Sequence, residues 1–108
     1  MVERAIEEPL NEIEFIHIEG DPPKEPLTLF ALSTCGFCRR AMNYLKEENL
    51  AFRYVYVDLL ARTFQVQIRN FVRKTYKTEL SFPFLCLGVK DYQAGFLRSV
   101  WNKELLDE

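Results

Sequence analysis

The stretch LTLFALSTCGFCRRAMNYL, residues 27–45, decides the fold of this chain. Residues 27–32 are a short apolar run, which is typical of a strand buried on both faces of a sheet. From Cys38 onward, apolar residues recur at the third, fourth and seventh positions, and this spacing predicts one face of a helix that runs to about Asn49. Cys35 and Cys38 therefore lie where a buried strand passes into a helix.

Strand and helix patterns continue to alternate after this first helix. The next segment is rich in β-branched and aromatic residues, as strands are, and helical spacing follows with Thr63 as the predicted N-cap. Gly88 then marks a turn between two short strands. The predicted strand, helix, two strands and final helix are residues 51–58, 63–76, 82–87, 89–93 and 96–105.

The resulting order of elements is β-α-β-α-β-β-α. Helical crossovers between strands imply parallel pairing, and the turn at Gly88 implies an antiparallel hairpin. We therefore predict an α/β fold with a central, mixed, four-stranded sheet and helices on both faces. The 108 residues of the chain, 48% of them hydrophobic, are suited to a single packed core.

The first residues differ in composition from the rest. Residues 1–26 hold eight acidic and two basic side chains, a net charge of −6, whereas the remainder holds eight acidic and twelve basic ones. Three prolines between positions 22 and 26 exclude a helix there. We predict an acidic N-terminal extension at residues 1–24 and a working domain at residues 25–108. Residues 13–18 predict either a strand added along a sheet edge, within the monomer or across a dimer, or a solvated acidic arm.

The overall composition excludes several classes of function. A net charge of −2 gives no electrostatic case for binding nucleic acid or a membrane surface. No apolar run approaches the roughly 20 residues that span a bilayer, and residues 1–10 lack the basic-then-apolar pattern of a signal peptide. We therefore expect a cytoplasmic protein whose thiols are kept reduced, with neither nucleic acid nor membrane as a partner.

The cysteines distinguish a metal site from a redox pair. Cys35-Gly-Phe-Cys38 is a C-x-x-C motif, which indicates half a zinc site, a redox pair or a coincidental spacing. Zinc needs two more ligands, and the candidates, Cys86 and the only histidine, His17, each lack a second ligand at short spacing. We therefore favour a redox pair and predict no metal. Cys86 is interpreted as a buried small hydrophobe, with regulation by its oxidation as the alternative, and His17 as a surface residue.

The position of the cysteine pair predicts its chemistry. At a helix N-terminus, unpaired backbone N–H groups and the helix dipole favour a thiolate at Cys35. Arg39 and Arg40 either add positive charge or form a solvated face. Cys38 lies inside the first helical turn and is expected to be more buried. We expect Cys35 to attack a substrate disulfide and Cys38 to resolve the mixed disulfide that forms, while Phe37 offers an apolar rim.

These segments resemble a known family. LFALSTCGFCRRAMNYL, residues 29–45, resembles the active-site strand and helix of glutaredoxins, and residues 81–85 are similar to that family's Thr-Val-Pro segment, whose proline is cis. The resemblance covers residues 26–105 and implies a thioredoxin-type fold and a thiol–disulfide oxidoreductase. The residues that it implicates are Cys35 as nucleophile, Cys38 as resolving thiol, cis-Pro83 beside them, and Phe37 and Phe82 lining a glutathione-binding groove.

Departures from the family pattern bear on glutathione. Leu32 stands where the family usually has a lysine, Cys-Gly-Phe-Cys replaces Cys-Pro-Tyr-Cys, and residues 92–97 contain one glycine and no acid where Gly-Gly and an aspartate are usual. Each missing charge-assisted contact costs ~1.5–3 kcal/mol. We therefore expect glutathione to bind weakly, or the reductant to be a protein. Basic residues of the second helix either replace one contact or form a solvated face; they are Arg69, Arg73 and Lys74.

The same resemblance implies no tightly bound cofactor and names glutathione as one candidate reductant. The expected partners are disulfide-containing protein substrates, and glutathione or a protein reductase. An alternative within the family is a [2Fe–2S] cluster carrier, in which a Cys-Gly-Phe segment and glutathione hold the cluster between two subunits. Those carriers usually have serine where this chain has Cys38. A third hypothesis, a non-catalytic interaction domain, is disfavoured by the intact cysteine pair.

Overall fold

The computed structural model of this chain describes residues 10–106, in which strands and helices alternate after a short N-terminal strand. The strands and helices are β1 (Ile16–Ile18), β2 (Leu27–Ala31), α1 (Gly36–Glu47), β3 (Phe52–Tyr56), α2 (Arg62–Tyr76), β4 (Phe84–Leu87), β5 (Asp91–Ala94) and α3 (Arg98–Leu106). A short 3₁₀ helix at Val57–Leu59 follows β3. No helix within the described range is long and apolar enough to cross a membrane.

The strands form one mixed, five-stranded sheet in the order β1-β3-β2-β4-β5. β2 and β3 pair in parallel, as a helical crossover through α1 requires. β2 and β4 pair antiparallel, and β4 and β5 form an antiparallel hairpin. The predicted α/β fold, with its mixed sheet and its order of elements, is therefore confirmed.

The fifth strand comes from the N-terminal extension. β1 pairs antiparallel with β3, with Ile16 opposite Tyr54 and Ile18 opposite Phe52. Of the arrangements predicted for residues 13–18, the structure has the strand along a sheet edge within the monomer. The sheet therefore gains an outer strand beyond the four that the sequence pattern requires.

Backbone hydrogen bonds join the end of the extension to the turn after α1. The Asp21 N–H donates to the Asn49 carbonyl at 2.7 Å, and the Ala51 N–H donates to the Asp21 carbonyl at 2.9 Å. Gly20 packs against the same turn, where a Cβ atom would lie 2.7 Å from the Asn49 oxygen. Any larger residue at position 20 would push two backbone segments apart, so this close approach requires glycine.

Helices α1 and α3 cover one face of the sheet. Leu45 of α1 and Trp101 of α3 are fully buried there, in one apolar cluster with Leu29 and Leu85 of the central strands. The rings of Tyr44 and Trp101 meet edge to face, with their centroids 5.9 Å apart. This contact joins the two helices to each other as well as to the sheet.

Helix α2 covers the opposite face together with the start of the extension. Ile68 of α2 packs there with Phe30 and Phe84 of the central strands. Leu10 and Ile13, from the acidic extension, belong to the same cluster and are only 1% and 6% exposed. Helices therefore lie on both faces, as predicted, and part of the extension contributes to the core.

The start of α2 differs from the prediction. Thr63 was expected to cap this helix, but α2 begins at Arg62 and its N-cap is Ala61, which has no side-chain capping bond. The backbone N–H groups of Phe64 and Gln65 both donate to the Ala61 carbonyl, at 3.0 and 3.1 Å. The first turn thus closes on the Ala61 carbonyl, so Thr63 lies inside the helix and is not at the capping position. The Thr63 prediction was wrong.

The boundary between an extension at residues 1–24 and a domain at residues 25–108 stays a prediction. Residues 1–9 lie outside the described residues. The burial of Leu10 and Ile13 makes the boundary open to a stability measurement, because apolar residues that pack into a core contribute to its free energy of unfolding.

We expect Leu10→Ala and Ile13→Ala each to lower the free energy of unfolding by about 2–4 kcal/mol, since both delete buried methyl groups. Urea denaturation followed by circular dichroism measures the loss. Ile16→Ala is the matched control, because Ile16 is 49% exposed and its truncation should cost below about 1 kcal/mol. Losses at positions 10 and 13 no larger than the control would mean that the extension does not unfold together with the core.

Candidate active site

The ends of four strands bring the candidate site residues to one edge of the sheet. β2, β3 and β5 run in one direction and β4 runs in the other. The carboxyl ends of the first three strands therefore lie beside the amino end of β4. The connecting residues there are named the cysteine edge, and they comprise residues 32–38, 57–60, 81–83 and 95–97.

Cys35 is the N-cap of α1. Its backbone is extended, with φ −94° and ψ 117°, and its Sγ accepts a hydrogen bond from the Cys38 N–H at 3.1 Å. The Cys35 carbonyl accepts the first bond of the helix from the Arg39 N–H, also at 3.1 Å. The sulfur is half-buried. The predicted position of Cys35 at a helix N-terminus is what the structure has, with a backbone donor directed at the sulfur.

Cys38 differs from Cys35 in its surroundings although it lies only three residues away. Its side chain is 1% exposed. Burial, the contact with the Cys35 side chain and the negative charge of Asp58 together raise the pKa of the Cys38 thiol to about 12. A backbone hydrogen bond with Leu32 opposes these effects. At neutral pH the resting Cys38 is therefore a protonated thiol.

A hydrogen-bonded pair that the sequence analysis missed, Ser33 and Asp58, lies next to the cysteines. The Asp58 carboxylate accepts the Ser33 backbone N–H at 2.9 Å and the Ser33 hydroxyl at 2.6 Å. The hydroxyl bond, followed by the backbone bond, lowers the pKa of the Asp58 carboxyl. Parallel pairing with Ala31 opposite Tyr56 places the two loops side by side. The sequence signal for this pair is a serine two residues before Cys35 together with an aspartate just after the next parallel strand.

Pro83 lies on the other side of Cys35 from this pair. The Phe82–Pro83 peptide bond is cis, as the family resemblance implied. Pro83 is fully buried, and its carbonyl accepts the Gly95 N–H at 2.8 Å. Because Phe30 is opposite Phe84, the start of β4 lies alongside the end of β2. Cys35, Cys38 and Pro83 therefore converge on the cysteine edge.

The two aromatic residues assigned to a groove lie in different environments. Phe37 is 59% exposed at the start of α1, and the Arg40 guanidinium lies 4.8 Å from the centre of its ring. Phe82 is half-buried and packs against the cluster on the α2 face. Leu32 is half-buried, and Arg39 is exposed. Phe37 is thus available to a ligand with most of its ring, whereas Phe82 offers part of its surface.

The other singled-out residues lie away from the cysteine edge. Cys86 is fully buried on β4, where burial raises the pKa of its thiol to about 12. His17 is exposed on β1. Arg73 of α2 forms an ion pair with Glu79 at 2.9 Å, and Arg69 and Lys74 of the same helix are exposed. Between residues 10 and 106, no three His, Cys, Asp or Glu side chains are grouped so that they could hold a metal ion.

Comparison with known proteins places this geometry in a family. The sequence profile of the glutaredoxin family matches residues 27–85, which is more than half of the chain. The chain belongs to the glutaredoxin family. No curated protein matches it. Family membership and the Cys35–Cys38 spacing together make this glutaredoxin a thiol–disulfide oxidoreductase in general terms.

Solved structures have the same fold as this glutaredoxin. A glutaredoxin from Methanosarcina mazei Go1 is 24% identical, with a TM-score of 0.73 over 83% of this chain and 85% of the other. The methanoredoxin of Methanosarcina acetivorans is 26% identical, with a TM-score of 0.71 over 80% and 88%. A glutaredoxin from Archaeoglobus fulgidus is 24% identical, with a TM-score of 0.65 over 79% and 89%. The predicted thioredoxin-type fold is therefore confirmed.

We expect Asp58→Asn to lower the pKa of Cys38. The substitution removes a negative charge that disfavours the Cys38 thiolate, but it keeps an oxygen that accepts a bond from Ser33. The pH at which the Cys38 Cβ resonance begins to shift in an NMR titration of the reduced protein reports the change. Glu79→Gln is the control, because that carboxylate pairs with Arg73 on the exposed side of α2. If the pKa of Cys38 rises or stays the same in Asp58→Asn, the charge of Asp58 does not raise the pKa of Cys38, and the prediction is wrong.

The two buried thiols also predict a pH dependence of stability. Cysteine in the unfolded chain ionises near its ordinary pKa of 9.0, whereas burial raises the folded pKa of Cys38 and of Cys86 to about 12. Between these values the folded state binds more protons, so the free energy of unfolding should fall as pH rises from about 9 to 12. Urea denaturation at several alkaline pH values measures the slope. Cys86→Ala should reduce the slope of the unfolding free energy against pH by the equivalent of about one proton. An unchanged slope would mean that the pKa of Cys86 is not raised by folding.

Proposed function

We propose that this glutaredoxin is a dithiol oxidoreductase that reduces protein or mixed disulfides through Cys35 and Cys38. The observation that carries the proposal is the hydrogen bond from the Cys38 N–H to the Cys35 sulfur at 3.1 Å. A donor directed at the sulfur stabilises negative charge on it, and the helix N-terminus adds to the effect. The same turn holds a second, buried thiol next to the first.

The reaction proceeds in two exchange steps. The Cys35 thiolate attacks one sulfur of the substrate disulfide, a new S–S bond forms, and the other half of the substrate leaves as a thiolate. Cys38 then gives its proton to solvent and attacks the Cys35 sulfur. The S–S bond of the mixed disulfide breaks, and the remaining substrate leaves as a thiolate that takes up a proton from solvent. Two electrons pass from the cysteine pair to the substrate, and the pair becomes a disulfide.

Burial determines which cysteine acts first. Cys35 is half-buried and reachable from solvent, whereas Cys38 is almost fully covered. Cys38 also stays protonated at neutral pH because its pKa is raised to about 12. An external disulfide therefore meets Cys35 first. Formation of the mixed disulfide then removes the contribution of the Cys35 side chain to the raised pKa of Cys38, which favours ionisation of Cys38.

Glutathione or a protein reductase would return the oxidised pair to the dithiol. Leu32 and residues 92–97 lack the charged groups that would meet the ends of glutathione, and Arg73 on α2 is engaged by Glu79. These features support weak binding of glutathione in the groove of Phe37, Phe82 and Pro83. The expected setting is the reducing cytoplasm, with disulfide-containing proteins as substrates. The rate of reduction of the oxidised form by glutathione, compared with that by a thioredoxin-reductase system, measures which donor serves.

We expect Cys35→Ser to lower the rate of disulfide reduction by at least about 100-fold, since the nucleophile is lost. Cys38→Ser should stop turnover on protein disulfides at the mixed disulfide, which mass spectrometry detects, while it keeps the reduction of glutathione mixed disulfides. Cys86→Ala is the matched control and should keep the wild-type rate, because Cys86 is buried away from the cysteine edge. Turnover that survives in Cys35→Ser would remove the proposal.

The cluster-carrier alternative has a separate measurement. Anaerobic purification of a cluster carrier would give a coloured protein with visible absorbance and bound iron, whereas a dithiol oxidoreductase would be colourless. A Cys35→Ser variant distinguishes the two further. In a cluster carrier it would lose both the colour and the exchange activity, whereas in a colourless dithiol oxidoreductase it would lose only the exchange activity.

A further inference from the structure

Three large apolar side chains are the most exposed ones among the described residues. Leu59, Leu97 and Phe37 are 70%, 67% and 59% exposed, and the next such side chain, Ile16, is 49% exposed. All three belong to the cysteine edge, and we name them the apolar rim. Exposed apolar side chains that cluster on a soluble protein mark a binding surface more often than isolated ones do.

The strand order places two members of the apolar rim on opposite sides of Cys35. Leu59 follows Asp58, whose carboxylate is bonded to Ser33 on one side of the cysteine. Leu97 lies on the opposite side, two residues after Gly95, whose N–H donates to the Pro83 carbonyl. From β3 to β5 the sheet crosses three strand spacings, which is about 14 Å. The rim therefore extends to both sides of the reactive sulfur.

We propose that the apolar rim docks an extended segment of a disulfide-bearing protein, in which apolar side chains flank the reactive cysteine and a carboxylate lies beyond them. This inference rests on the proposed function and adds the class of partner. Five extended residues span roughly 17 Å, which is enough to cover the width of the rim of about 14 Å, whereas a tripeptide spans only about 10 Å. A protein segment can cover both Leu59 and Leu97 while its sulfur meets Cys35.

Charge at the rim supports the carboxylate. Arg39 and Arg40 are exposed one turn into α1, and within residues 10–106 neither forms an ion pair. Arg40 also lies over Phe37, so a carboxylate bound there would sit next to an apolar contact. Asp58 is already bonded to Ser33. The two arginine guanidinium groups outnumber the single Asp58 carboxylate, so the net charge near Cys35 is positive, which favours an acidic segment.

The test uses chromogenic five-residue peptides whose central cysteine is joined to thionitrobenzoate. Cys35 attacks the peptide sulfur, the S–S bond breaks, and thionitrobenzoate leaves as the coloured thiolate because it is the more acidic thiol. One peptide has leucine on both sides of the cysteine and another has serine. The leucine peptide is made with either glutamate or lysine at its ends. Stopped-flow absorbance gives the second-order rate constant for each peptide.

We expect the wild-type protein to react about tenfold faster with the leucine peptide than with the serine peptide. Leu59→Ser combined with Leu97→Ser should reduce that ratio below about twofold by slowing the reaction with the leucine peptide. The matched control, Ile16→Ser combined with Val89→Ser, changes exposed apolar residues away from the cysteine edge and should keep the tenfold ratio. Glutamate ends should react faster than lysine ends, and the difference should shrink as salt is added.

Equal wild-type rates with the leucine and serine peptides would overturn the docking proposal, and so would a tenfold preference that survives without Leu59 and Leu97. Lysine ends that react as fast as glutamate ends would overturn the carboxylate part. No release of thionitrobenzoate from either peptide would instead count against the proposed function. If circular dichroism shows that the double variant is unfolded, the single variants Leu59→Gln and Leu97→Gln and the wild-type comparison decide the question.

Discussion

The geometry of the site depends on the point at which β2 ends and α1 begins. β2 is buried along its whole length, with sheet partners on both sides and helices on both faces, so its end is held by the core. The helix that follows has to start within a few residues, and its first free N–H groups need acceptors. The sulfur of Cys35 serves as one of them. The cap of the helix and the reactive atom are thus the same group.

This arrangement gives two chemically identical side chains different properties. Cys35 lies at the start of the helix with a backbone donor and access to solvent. Cys38, one turn along the same helix, faces the core, where burial and nearby negative charge oppose its ionisation. The difference arises from the pitch of the helix, because three residues carry a side chain from the exposed end to the buried face. Three neighbouring strands, β3, β2 and β4, then bring Asp58 and Pro83 to the same edge of the sheet.

The features with a periodic or local signal could be read from the sequence. The apolar run at residues 27–32, the helical spacing after Cys38 and the C-x-x-C motif gave the fold and the position of the cysteine pair. The Ser33–Asp58 pair could not be read in this way, because two polar residues 25 positions apart carry no periodicity and meet only after parallel pairing. The burial of Leu10 depends likewise on tertiary packing, since its acidic neighbours indicate a solvated segment.

The graded burial of the three sulfurs has one more consequence. Cys35 is reachable from solvent, whereas Cys38 and Cys86 are enclosed by side chains from the helices and strands. A thiol-specific dye added to the native reduced protein would therefore label one sulfur quickly and the other two only when the structure opens. The number of labels per molecule after a fixed time, read by mass, therefore reports how often the structure opens. The three native cysteines therefore report both local and global opening of the structure.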